Sequence, residues 1–147
     1  MRPIPAGTEA KLHILVTPEM TVHFDELGPL HPVYATYQIA RHFEEAGRKL
    51  LLPYLEVGEE GVGSAVSLEH HTPAVPGMNI EITATLDRVE GRRLHVRAQA
   101  VSDLGDLIAS GQTTQVVMSA EKLKGRFAEL ERRLAQNRQQ QEKHDDH

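Results

Sequence analysis

From Met78 to Met118 the sequence alternates apolar and polar residues in three runs divided by two short turns. Met78, Ile80, Ile82, Ala84 and Leu86 share one face of the first run, against Asn79, Glu81, Thr83, Thr85 and Asp87 on the other. Glu90-Gly91 turns the chain, and Leu94, Val96, Ala98 and Ala100 then oppose His95, Arg97 and Gln99. Ser102 to Asp106 turns it again into Leu107–Met118. Successive side chains of a strand point to opposite faces, so this pattern predicts an antiparallel meander with one dry face. A dry face must be covered, and the sequence has to supply the cover.

The cover is the segment from Thr36 to about Leu52, where Ile39, Phe43, Ala46 and Leu50 recur at helical spacing. Pro53 ends it, because the residue before a proline avoids helical geometry. Ahead of it, Ala10–Val16 and Thr21–Phe24 read as short strands, and Glu26–Pro32 as a loop too dense in breakers for regular structure. After it, Gly58–Gly63 reads as a loop, Ser64–Thr72 as a strand and Pro73–Gly77 as a turn. Short strands, one long helix and then four strands predict an α+β hotdog fold over residues 1–118, with an antiparallel sheet wrapped around the helix. Residues 119–147 read as a C-terminal amphipathic helix and a polar tail. Ser119 can cap that helix, which is expected to run to about Arg138. Leu123, Phe127, Leu130 and Leu134 give it a narrow seam suited to a partner helix or a groove on the domain. Gln139–His147 is expected to fray.

Composition narrows the functional classes. The 147 residues fit one domain, 39% hydrophobic and 25% charged, as in ordinary soluble proteins. No apolar run approaches the ~18 residues of a membrane span, and Met1–Gly7 lacks the apolar core of a secretory signal. Zero cysteines remove disulfide and thiolate chemistry and make a cytoplasmic setting the expectation. A net charge of −5 argues against a nucleic-acid partner.

Three chemistry-bearing residues fall between Val33 and Pro76. Glu44 shares a helix line with Ala40, Gly47 and Leu51, beside the buried stripe, whereas Glu45 lines up with Arg41 and Lys49 on a solvated face. Strand parity groups Ser64, Val66, Leu68 and His70 on the apolar face, so His70 points inward and His71 outward. Thr36 opens the helix, where its hydroxyl serves either as an N-cap or as a site group. A carboxylate, an imidazole and a hydroxyl directed toward a core need partners or a task, and together they point to hydrolysis. Eight helical residues span ~12 Å, so Thr36 and Glu44 of one straight helix cannot touch. Either the helix starts after Thr36, or the site is assembled across a dimer. Weaker motifs are set aside. His144-Asp-Asp-His147 has metal-ligand residue types in a tail, and Gly58–Gly63 precedes a strand rather than opening a helix, so it is no nucleotide loop. No metal is expected.

Val33-Tyr-Ala-Thr36, Glu44, Leu52–Gly58, Gly61-Val-Gly-Ser-Ala, His70, Pro76-Gly77 and Val89–Leu94 together resemble hotdog acyl-CoA thioesterases of the fluoroacetyl-CoA thioesterase type. The resemblance spans about residues 10–118. It implies a thioester hydrolase whose catalytic residues here are Thr36, Glu44 and His70, with the Gly63 backbone N–H on the thioester carbonyl. It also implies substrate contacts at Tyr34, Leu30 and Gln115, and no cofactor beyond the coenzyme A of the substrate. Two positions depart from the family pattern. Leu30 stands where a lid phenylalanine is expected, and Gln115 where an arginine is expected, so the implied substrate is a general acyl-CoA. The exposed edge strands of a lone sheet add the expectation of a homodimer or larger assembly. Two alternatives stay open: a non-catalytic acyl-CoA binder on the same fold, and an assembly protein built on the Leu123–Leu134 seam.

Overall fold

The computed structural model describes residues 1–145. In chain order its elements are β1 (Glu9–Leu15), β2 (Thr21–Phe24), β3 (Gly28–Tyr34), α1 (Thr36–Leu51), β4 (Glu59–His70), β5 (Asn79–Glu90), β6 (Arg93–Ser102), β7 (Leu107–Ser119) and α2 (Ala120–Asp145). Five strands form one antiparallel sheet in the order β1-β5-β6-β7-β4, and β2 pairs with β3 in a separate ribbon. The alternation is realised as read: Ile80, Ile82, Ala84 and Leu86 on β5 and Leu94, Val96, Ala98 and Ala100 on β6 are buried. α1 lies across that face, contributing Ile39, Phe43, Ala46 and Leu50 to the same core. Each large apolar side chain enclosed there is worth ~1.5–3 kcal/mol relative to exposure. This is the hotdog arrangement.

Two features bring α1 close to the sheet. A Cβ on Gly47 would stand 2.7 Å from Thr113 Cγ2, and one on Gly61 would stand 2.7 Å from Leu51 Cδ2. Arg48 then ties the helix to β4, donating to the Gly61 carbonyl at 2.5 Å and pairing with Glu60 at 2.6 Å. α1 gives way at Leu52–Tyr54 to a single 3-10 turn containing Pro53.

Several boundaries differ from the sequence reading. The Glu26–Pro32 segment is not a loop: Gly28–Tyr34 is β3, with His23 opposite Pro29 and Phe24 opposite Gly28. A two-stranded ribbon has free edges on both sides, and there a proline costs no ladder bond. Gly58–Gly63 is likewise mostly strand, because β4 begins at Glu59 opposite Ser119 of β7. Gly61 and Gly63 mark close approach, while Gly58, at φ 84°, makes the turn before the strand. At the C-terminus, Ser119 accepts a bond from the Lys122 amide at 3.2 Å and caps α2 as expected. The helix continues past Arg138 to Asp145, while Asp146 and His147 lie outside the described residues. α2 has no buried residue, and Phe127, Leu130 and Leu134 stay about half exposed, so the seam does not dock into a groove of its own domain. No described helix is long and apolar enough to cross a membrane.

Candidate active site

The start of α1 resolves the question about Thr36. Ala35 occupies the cap position in extended geometry with no side-chain bond, and Thr36 is the first helical residue. Its hydroxyl is therefore not spent on capping. It lies 2.9 Å from Nδ1 of His70, the last residue of β4. Nε2 of the same ring is buried with no hydrogen-bond partner among the described residues. His71 faces the other way, exposed, with Nε2 2.8 Å from the Ser110 hydroxyl. The β2–β3 ribbon braces this corner. The Tyr37 hydroxyl accepts from the His23 amide at 2.8 Å, and the Tyr37 ring tilts against Phe24 with centroids 5.6 Å apart.

Glu44 belongs to a second cluster, two turns further along α1. Its carboxylate lies directly on Gly63: a Cβ there would overlap Oε1 and stand 2.8 Å from Cδ. Because the helix begins at Thr36 and runs unbroken to Leu51, the delayed-start alternative is excluded, and ~12 Å of helix separates Thr36 from Glu44. One chain thus carries two separate clusters, Thr36 with His70 and Glu44 with Gly63. The expectation that all three groups point into a core needs correction as well. Thr36 and Glu44 are exposed in the single chain and His70 is half-buried, because this side of α1 opens toward the free edge of β4.

A β-bulge allows both clusters to face the helix. Gly63 and His70 differ by an odd number of residues, so a regular strand would turn them to opposite faces. In β4 the register jumps between Gly63, opposite Gln115, and Ala65, opposite Thr114. Ser64 is the extra residue. Gly63 therefore shares a face with Gln115 while His70 shares one with Ala109, and both β7 residues are buried beneath the helix.

The expected substrate contacts divide. Leu30 is 49% exposed on the ribbon. Tyr34 is fully enclosed, so its ring offers no surface to a ligand; its hydroxyl lies 2.5 Å from Nδ1 of the buried His42. Burial pushes the Tyr34 phenol well above its ordinary value. Burial holds the His42 imidazole below its own, opposed by the Glu45 charge and reinforced by Arg41. The sequence reading missed His42, although its place between Ile39 and Phe43 in the buried stripe was a signal. Gln115 is 1% exposed beneath α1, out of reach of direct substrate contact in this chain. Among the described residues no group of three His, Cys, Asp or Glu could hold a metal. The His144–His147 motif runs into Asp146 and His147, outside the described residues. A surface concavity of about 920 Å³ lies among Ser67, Glu69, Arg97, Gln99, Ser110 and Gln112, and none of the candidate groups lines it.

A helix laid on a curled sheet, with hydroxyl, imidazole and carboxylate along their shared margin, defines the class of hotdog thioester hydrolases. A family model described as fluoroacetyl-CoA-specific thioesterase matches residues 16–121. The fluoroacetyl-CoA thioesterase of Streptantibioticus cattleyicolor is 37% identical over 97 residues, covering 66% of this chain and 69% of that one. A Thermus thermophilus crystal structure described as a thioesterase superfamily member superposes with a TM-score of 0.90 at 50% identity, covering 92% of this chain and 98% of that one. A mutant of the fluoroacetyl-CoA-specific thioesterase FlK in complex with fluoroacetate and CoA superposes with a TM-score of 0.75 at 33% identity, covering 82% and 99%. The chain belongs to the fluoroacetyl-CoA-specific thioesterase family and is a thioester hydrolase.

Proposed function

We infer that the chain hydrolyses an acyl-CoA thioester to a carboxylic acid and free coenzyme A, as a homodimer with each site shared between two copies. The observation that carries this reading is the division of the reactive groups into two half-sites on one face, Thr36 with His70 and Glu44 with Gly63. β4 is a twelve-residue edge strand with one side unpaired, and such an edge is a template for another strand. Antiparallel pairing of two β4 strands about Ser67, with Ser64 as the extra residue, sets Gly63 of one copy opposite His70 of the other. Each Glu44 then meets the Thr36–His70 pair of the second copy. Val66, 41% exposed on the helix-side face in the single chain, gains cover in the same step.

In the assembled site the thioester carbonyl lies against Gly63, whose backbone N–H stabilises the developing oxyanion. A donor placed this way is worth ~3–4 kcal/mol of transition-state binding. Glu44 attacks the carbonyl to form an anhydride that water then cleaves to the free acid, or it draws a proton from the water that attacks directly. Thr36 orients His70, and the imidazole moves the proton that accompanies departure of the thiolate. No cofactor enters; coenzyme A arrives as part of the substrate. The lack of cysteine suits a cytoplasmic location.

The test is release of free thiol from a panel of acyl-CoAs: acetyl, fluoroacetyl and longer or branched acyl groups. Turnover of at least one at micromolar enzyme is expected. Binding of these thioesters without thiol release from any of them overturns the hydrolase reading in favour of a binding protein.

A further inference from the structure

Gln115 sits on β7, next to the edge strand β4, on the sheet's dry face with 1% of its surface exposed, and neither Nε2 nor Oε1 has a hydrogen-bond partner among the described residues. An unpartnered buried amide is costly, and an apolar side chain of similar size would satisfy packing at less expense. Two glycines flank it, Gly47 on α1 and Gly61 on β4. Nε2 lies 3.9 Å from where a Cβ on Gly47 would stand, and Oε1 lies 3.9 Å from the corresponding point on Gly61.

The geometry links this amide to Glu44. Gln115 is the register partner of Gly63, and directly opposed residues carry their Cβ atoms ~4.5–5.5 Å apart. The Glu44 carboxylate occupies the Cβ place at Gly63. It therefore stands about one such spacing from the root of the Gln115 side chain, on the same face of the sheet. Gly47, beside Nε2, is one helical turn beyond Glu44 on the same line of α1. Catalytic hydrogen bonds are often long in a free enzyme and tighten when substrate is bound.

We propose that Gln115 is the positioning residue for Glu44: its amide, held between Gly47 of α1 and Gly61 of β4, fixes the direction of the carboxylate over Gly63 when substrate is present. This replaces the substrate contact implied by sequence resemblance with a role exerted through Glu44, and it rests on the hydrolase reading above.

The test uses the full chain with Gln115→Leu and Gln115→Met. A displaced carboxylate lowers kcat ~10–100-fold. Substrate binding is untouched, so KM stays within about twofold, and Tm is unchanged or higher because an unpartnered amide has been removed. Unchanged kcat overturns the proposal, and so does a loss of kcat in step with Tm in both variants, which marks a structural role. A second readout needs no turnover. In 1H–15N spectra recorded with a non-hydrolysable acetyl-CoA thioether, the Gln115 side-chain amide signals shift with Glu44→Gln and not with Glu45→Gln. Signals indifferent to Glu44→Gln also overturn it. A wild-type chain that releases no thiol defeats the hydrolase reading alone, and the spectra still decide whether Gln115 and Glu44 are coupled.

Discussion

Glu44 and Glu45 are neighbours of identical chemistry, and ~100° of helix rotation separates a carboxylate resting on Gly63 from one in open solvent. Glu44→Ala is expected to abolish thiol release while thermal unfolding stays close to wild type, because the side chain fills no part of the core. Glu45→Ala should leave both untouched; equal losses in the two variants refute the facial assignment. The same contrast holds on β4. His70→Ala is expected to lower kcat ~10²–10⁴-fold, the range for a lost acid–base group, and His71→Ala to leave it within error. His42 acts on stability instead. Its folded imidazole is held below the ordinary value of 6.5 by burial, so the unfolded chain binds the proton more readily. The stabilisation is therefore full above pH 6.5 and is lost as the pH falls toward the depressed folded value. Tm measured from pH 8 downward should drop less steeply in a Tyr34→Phe, His42→Leu double variant, which removes both partners of the buried bond and strands neither. An identical slope in the two proteins would remove His42 from the account.

At the scale of elements, Gly63 shows how β4 serves the site. Gly63→Ala puts a methyl group where the Glu44 carboxylate lies. The flexible end of Glu44 gives way rather than the backbone, so Tm should hold while kcat falls; a full-rate alanine variant would mean that the carboxylate is not needed at that spot. Much of this architecture could be read directly. The meander and the stripe Ile39, Phe43, Ala46, Leu50 were legible because burial on one side writes its period into the sequence. What escaped were strands whose pairing is decided elsewhere. β3 carries Pro29 and Pro32, local breakers that a ribbon edge tolerates. The start of β4 carries Gly61 and Gly63, which read as loop residues until Leu51 and Glu44 are seen against them. Parity alone placed His70 correctly but could not bring Gly63 to the same face, since that depends on a bulge at Ser64 that no local pattern announces. Gln115 was legible only as a departure from a family pattern, and its burial without partners is a property of the packed sheet.

For the molecule as a whole, the free edge of β4 and the exposed Thr36, Glu44 and Val66 make a lone chain an incomplete enzyme in this reading. Sedimentation at micromolar concentration should give at least a dimer, and a stable, fully active monomer would rule out the shared site. The helix that carries Thr36 at its first position and Glu44 two turns later has a further consequence, which concerns inheritance rather than geometry. In the proposed dimer one half-site comes from each copy, so two inactive variants are expected to rescue each other. Chains with His70→Ala still bring a sound Glu44, and chains with Glu44→Ala still bring a sound Thr36–His70 pair. Unfolded together and refolded in equal amounts, they form mixed dimers in which one site has every group and the other lacks both, so random pairing restores about a quarter of wild-type activity. A site contained within one chain would restore none, and the titre of recovered activity would tell the two architectures apart without a crystal.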